Sequence, residues 1–317
     1  MSTDWRKAQL QDADRAMLEF AEKLTLLPSD MAEEDVAALR RHRFTDREIL
    51  SITLAAAYRN FITRVADALG VELRQGAAYS APILNAFGVT EAEAHTTMYG
   101  NRLVAQAKQG DASSPPASIR NPAPTAQEIC WIQTTDPESA GNTEHLPESE
   151  RRMAGHLPRN LRRALRLRPE GLEASLAFGR RVGLGGSGLG ERLEAIIGFV
   201  VAASLRVPYM AAHHAQGLLE SGSTVDEVRA LVRDPAGGAL RGNERSLARF
   251  CEKLARLPSP MARSDLEPLR QGGRNDREIL TIVAGTAYEN FLGRIAASLG
   301  VQLEKEAVAS PAFEALV

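Results

Sequence analysis

Four side chains in this sequence have the types and spacing for proton chemistry. Tyr209, His213 and His214 lie in "RVPYMAAHHAQ" (206–216), and Glu194 opens the apolar run before it. Imidazoles titrate near neutrality, so they exchange protons at the pH where most enzymes work. Pro208 has the fixed φ and missing amide hydrogen that suit the first position of a helix, which leaves Val207 as its cap. The spacing predicts a helix from 208 to about Glu220, with Tyr209 and His213 four apart on one face. His213 and His214 project about 100° apart, so they are not expected to aim equally at one small ligand. No metal is expected, because persuasive histidine pairs stand four apart and no acidic box accompanies this one. Glu194 or Glu191 would orient an imidazole if the preceding helix packs alongside. A histidine simply hydrogen-bonded in a helical core is the plainer alternative.

The elements that must hold these groups are helical. Residues 191–205 read as an apolar helix, too short to cross a bilayer. After the histidine helix, "SGSTVDEV" predicts another start, with Ser223 and Asp226 at capping-box spacing. Ahead of 191, "GLGGSGLG" (183–190) lacks a preceding strand and a Gly-Lys-Ser/Thr ending. It reads as a flexible connection and not a phosphate loop, and no nucleotide or other cofactor is implied.

An internal repeat organises the rest. Residues 20–73 and 250–303 align without a gap at an offset of 230 and are identical at 28 of 54 positions. A repeat of this length marks a duplicated structural unit. In each copy a first helix stops before Pro28 or Pro258. A long third helix opens with a capping box, Thr45 with Glu48 and Asn275 with Glu278. Its apolar stripe is expected at Leu50, Leu54, Tyr58, Phe61, Val65 and Leu69, repeated at Leu280, Ala284, Tyr288, Phe291, Ile295 and Leu299. Gly70 and Gly300 stand where a left-handed residue ends a helix. Arg64 and Arg294 recur beside Asn60 and Asn290 and are expected to tie helices together.

Composition sets the outer limits. With 5% aromatics against 44% hydrophobic residues, packed helices are favoured over sheets. A net charge of −2 gives no general pull toward nucleic acid or acidic membranes. The arginine-rich stretch 152–169 is expected to be a solvated or intersubunit helix face. The polar start of the chain shows no signal peptide, and Cys130 and Cys251 stand far apart, so a reducing cytoplasm is the expected location.

Three stretches carry a resemblance: "ICWIQTTDPESAG" from 129, "LRPEGLEA", and the closing "FCEKLARLP…DLEPLRQGGRNDREILTIVAGTAYENFLGRIAASLGV". Together they resemble the AhpD-like (alkylhydroperoxidase D and carboxymuconolactone decarboxylase-like) superfamily, especially its peroxidase-related branch. Members carry a Glu, a Cys-x-x-Cys pair starting the active-site helix, and a His four residues beyond the second Cys. On this chain the cysteine positions fall on Val207 and Met210 and the Glu position on Ala195, with Glu194 adjacent. His214 alone keeps the family residue. Thiol peroxidase chemistry needs a thiolate and a resolving thiol, and neither Val nor a Met thioether supplies one.

The resemblance implies an all-α architecture. An AhpD-like domain is expected at 128–317, preceded by a helical half-domain at 1–108 that duplicates its C-terminal helices and by a linker at 109–127. The first copy is expected to pair with the second within the chain, and the family's habits imply a homo-oligomer. The expected function is non-redox acid–base catalysis of lyase, isomerase or hydrolase type on a small organic substrate, carried by His214, Tyr209, His213 and Glu194. The alternatives are a catalytically silent structural or binding homologue, and an atypical alkylhydroperoxidase-related oxidoreductase.

Overall fold

Helix starts follow local capping chemistry. The Thr45 hydroxyl accepts from the Glu48 amide while the Glu48 carboxylate accepts from the Thr45 amide, and Asn275 and Glu278 repeat the arrangement. Each such box satisfies amides that the first helical turn would otherwise leave unpaired. The computed structural model describes residues 5–71, 129–134, 157–183, 185–237, 239–256 and 261–316. The expected linker at 109–127 and both domain boundaries lie outside those residues.

Among the described residues the chain is helical throughout, without a strand. The N-terminal segment holds α1 (Asp12–Leu26), α2 (Glu33–Arg41) and α3 (Asp46–Leu69). The body continues with α4 (Arg159–Leu165), α5 (Pro169–Val182), α6 (Glu191–Leu205), α7 (Pro208–Glu220) and α8 (Val225–Arg233). It closes with α9 (Gly242–Ala255), α10 (Glu267–Gln271), α11 (Asp276–Ser298), α12 (Lys305–Val308) and α13 (Pro311–Glu314). No described helix is long and apolar enough to cross a membrane. One start differs from expectation. Thr224, not Ser223, caps α8, and its box partner is Glu227. The capping box thus sits one residue later, and the Ser223 hydroxyl instead accepts from Arg192.

The apolar run at 195–202 is buried along its whole length, which places α6 at the centre, against α7, α9 and α11. Helix α11 packs on α3 along a seam of reciprocal contacts. Arg64 donates to the Ala255 carbonyl at 3.1 Å, and Arg294 donates to the Thr25 carbonyl at 3.0 Å. At the offset of 230, Arg64 corresponds to Arg294 and Thr25 to Ala255, so each segment gives the other the same bond. Both guanidinium groups are buried, and both also bond the asparagine one turn earlier.

The seam corrects the expected stripe of α3. Its buried face runs through Leu50, Thr53, Ala57, Asn60, Arg64 and Ala68, while Tyr58 and Leu69 are 53% and 38% exposed. Small residues at 53 and 57 let two backbones approach, and the arginines then cross between them. In α11, by contrast, Tyr288, Ile295 and Leu299 are buried as expected, because α5 and α6 also cover that helix. Leu280 is half exposed and Phe291 only partly buried. Residues 129–134 strap the two segments together. Trp131 donates its amide to Leu299 and accepts at its carbonyl from Arg40, while the Gln133 amide donates to Asp46. Its ring lies over Gly300, whose φ is +58° and where a Cβ would meet it at 2.1 Å.

Candidate active site

Arg206 adopts a left-handed φ of 55° and ends α6, so that after one further residue, Val207, the chain starts α7 at Pro208. The turn lays α7 along α6 and against α11. Val207 and Met210, at the positions the thiols would take, are buried at 3% and 2% exposure. Both are apolar and chemically inert toward peroxide-driven disulfide formation.

His214 lies on the far side of α7 from Tyr209 and meets a carboxylate on α11. Its Nε2 stands 2.9 Å from Glu289 Oε2. Glu289 is only 7% exposed, and the imidazole keeps 18% of its surface open. His213 makes a second pair, with Nε2 at 2.9 Å from Glu304 Oε2. A carboxylate only accepts, so each pair places the ring proton on Nε2 and leaves Nδ1 as the basic nitrogen. The 100° between adjacent helical residues is thus used in full: two imidazoles, two separate carboxylates.

Glu304 is the hub of the second pair. It caps α12 and accepts from the Asn160 amide at 2.7 Å and the Tyr209 hydroxyl at 3.1 Å, besides His213. Burial pushes this carboxyl up, but the His213 bond and charge and the Asn160 amide outweigh it and bring it down to about 2. The Tyr209 hydroxyl also accepts from the Leu161 amide at 3.0 Å. Burial first, and then the Glu304 charge, push this phenol well above its usual range. Tyr209 is therefore a strut between α4, α7 and the C-terminal segment, with its ring edge-on to His213 at 4.9 Å.

A cavity of about 340 Å³ opens between α6, α7 and α11, and both histidines line it. Glu289, Met210, Ala195 and Leu292 form further wall, with Glu191, Glu194 and Glu220 toward the rim. Tyr209 is not part of this lining. Glu194 lines the cavity but orients neither imidazole, contrary to expectation. Its carboxylate accepts from the Gly185 amide at 2.5 Å, the Ser187 amide at 3.1 Å and the Ser187 hydroxyl. The 183–190 connection, expected to be merely flexible, is thereby anchored to the first turn of α6, which a carboxylate also favours electrostatically.

Sequence reasoning missed Glu289 and Glu304, the two groups that hold the imidazoles. One signal for Glu289 was available. At the offset of 230 it aligns with Arg59, an exposed base in an otherwise matching stretch, so the two segments differ in charge there. Nothing comparable marks Glu304. The cysteines stand apart from this chemistry. Cys130 and Cys251 are both buried, and burial pushes their thiols up to about 11 and about 12. Among the described residues no group of three or more His, Cys, Asp or Glu side chains gathers as a metal site.

No protein-family model matches the chain, and no curated protein matches it. Solved structures do. A peroxidase-related protein from Ralstonia eutropha JMP134, described as an alkylhydroperoxidase AhpD core, is 20% identical with a TM-score of 0.50. The match covers 59% of this chain and 98% of that one. The debrominase Bmp8, in complex with 2,3,4-tribromopyrrole, is 14% identical with a TM-score of 0.48, covering 62% and 100% of the two chains. The all-α fold is thus AhpD-like, at the level of fold and not of activity.

Proposed function

We propose that the chain is a non-redox acid–base enzyme, of lyase, isomerase or hydrolase type, acting on a small organic substrate in the cavity between α6, α7 and α11. The observation that carries this reading is the His214–Glu289 pair at 2.9 Å, partly open to a 340 Å³ cavity. An imidazole bonded at Nε2 to a carboxylate is held in one tautomer, and its protonated form is stabilised as it takes a proton at Nδ1. His214 is the base in this scheme. His213, held by Glu304 on the same wall, is placed to return a proton. Tyr209 and Glu194 act as supports, the first for His213 and the second for the loop above the cavity.

Two further features support the absence of sulfur chemistry. Val207 and Met210 cannot form a disulfide, and the two thiols present are buried and protonated at neutral pH. A silent homologue would be expected to fill the space around His214 with apolar side chains, and here that space is open.

Proton abstraction can be tested without knowing the substrate. The full chain is incubated in D2O with a panel of small carbonyl and amino compounds, and loss of C–H signal is followed by proton NMR. The expected result is exchange or conversion of at least one compound, reduced 100-fold or more in His214→Gln and Glu289→Gln, variants whose helical content is checked in parallel. Turnover that survives His214→Gln would overturn the assignment, as would an inert panel.

A further inference from the structure

The described lining of the cavity beside His214 is acidic. Glu191, Glu194, Glu220 and Glu289 line it, and among the described residues neither lysine nor arginine does. Among the described residues the basic groups on the wall are the two imidazoles, each already facing a carboxylate. These acids sit at different depths. Glu289 is buried at the inner end, and Glu191 and Glu220 are exposed at the rim. Glu194 spends its acceptors on Gly185 and Ser187, so it contributes charge more than contact.

Such a chamber has two candidate occupants, a metal ion or an organic cation. The first is disfavoured by geometry, since no convergent set of three ligating side chains exists among the described residues. The volume also exceeds what a bare ion fills, and Ala195, Met210 and Leu292 give the cavity an apolar wall. That combination of acceptors and apolar wall matches an N–H-bearing cation on a short hydrocarbon body. A carboxylate or phosphate entering the same space would lose hydration and find acceptors in place of donors.

We propose that the cavity selects small organic ammonium ions and excludes anions, an inference that rests on reading the cavity as the acid–base site. Specificity then comes from the repulsive element as much as from the attractive one. Glu191 and Glu220 steer the cation inward, and the apolar wall takes its body.

Three probes that share one body and differ in charge decide the matter: benzylammonium, benzyl alcohol and benzoate. Binding to the full chain is measured by calorimetry, with two-dimensional NMR of the histidine rings to locate each probe. The expected order is benzylammonium, then benzyl alcohol, then benzoate, with at least a 10-fold span. In Glu191→Gln/Glu220→Gln the span contracts several-fold, while benzyl alcohol is unchanged. Benzoate binding as tightly as benzylammonium, or a span untouched by the double substitution, would overturn the ammonium preference. In either case benzyl alcohol shifting the His214 resonances leaves the cavity reading standing. If no probe shifts them, both readings fall. Tight binding of zinc or manganese ions that displaces benzylammonium would identify a metal site and overturn the proposal.

Discussion

The His214 imidazole lies against the backbone of Gly198, so closely that a Cβ at 198 would stand 2.1 Å from the ring's Cε1 and 2.3 Å from Nδ1. Helix α6 is apolar and fully packed around this point, with Ile197, Phe199 and Val200 all buried. The missing side chain is what gives the ring its place beside Glu289.

Gly198→Ala should therefore behave opposite to its helix propensity. Alanine normally stabilises a helix interior by about 1 kcal/mol over glycine. Here the methyl group must push the ring off α6 and away from Glu289, which costs about 1–3 kcal/mol. Urea denaturation should show net destabilisation, and NMR should show loss of the His214–Glu289 bond. A gain in stability would mean that the ring swings away freely and is not held by its surroundings.

What was legible in the sequence were features governed by residues near one another in the chain. Thr45 with Glu48 and Asn275 with Glu278 are three apart, Pro208 acts at its own position, and these three helix starts follow. The stripe of α3 was misjudged for a different reason. Periodicity reports which residues are apolar, but not that Thr53 and Ala57 would face a second helix; only Arg64, recurring as Arg294, pointed to that face. The site shows the same limit. His214 was visible, while its partner Glu289 lies 75 residues further along, and Glu304 reaches His213 across 91. Contacts at that separation follow from packing, which no local pattern encodes.

Glu304 makes the protein acid-sensitive in a defined window. Its folded carboxyl lies at about 2, below the ordinary 4.5, so the stability it supplies is full above 4.5 and is lost as pH falls toward 2. Glu304→Gln should cost about 2–3 kcal/mol at pH 6, and the gap to wild type should close as pH approaches 2. Denaturant titrations at five or six pH values would show it. A gap independent of pH would mean that the Asn160 and Tyr209 bonds matter and the charge on Glu304 does not.

Arg64 and Arg294 should couple across the seam. Burial is the main influence on both and lowers them, Arg64 to about 9 and Arg294 well below its usual value. Arg64 also lowers Arg294 by its like charge, while nearby Asp67 works to raise Arg64. Truncating either to alanine should cost about 3 kcal/mol through lost packing and orphaned carbonyls. Each single loss already includes relief of the mutual repulsion. The double variant gains that relief only once, so it should fall by more than the sum, by roughly 1 kcal/mol. Strict additivity would show that the two guanidinium groups do not sense each other.

The sharpest test of the non-redox reading lies in the two thiols. Cys130 donates to the Ile132 carbonyl at 3.3 Å, and the Thr286 hydroxyl bonds Cys251 at 3.2 Å, each inside the core. The reactive form of a thiol is the thiolate. With these groups pushed up to about 11 and about 12, the thiolate share at pH 8 is roughly one in a thousand and one in ten thousand. Access is a second barrier, because a reagent must wait for the core to open. Native protein should thus be labelled by a thiol reagent at least about 100-fold more slowly than denatured protein. Consumption of an organic hydroperoxide with a dithiol reductant should match the protein-free rate, in wild type and in Cys130→Ser/Cys251→Ser alike. If wild type consumes peroxide and the double variant does not, a sulfur route exists that avoids positions 207 and 210, and the acid–base assignment of His214 loses its premise.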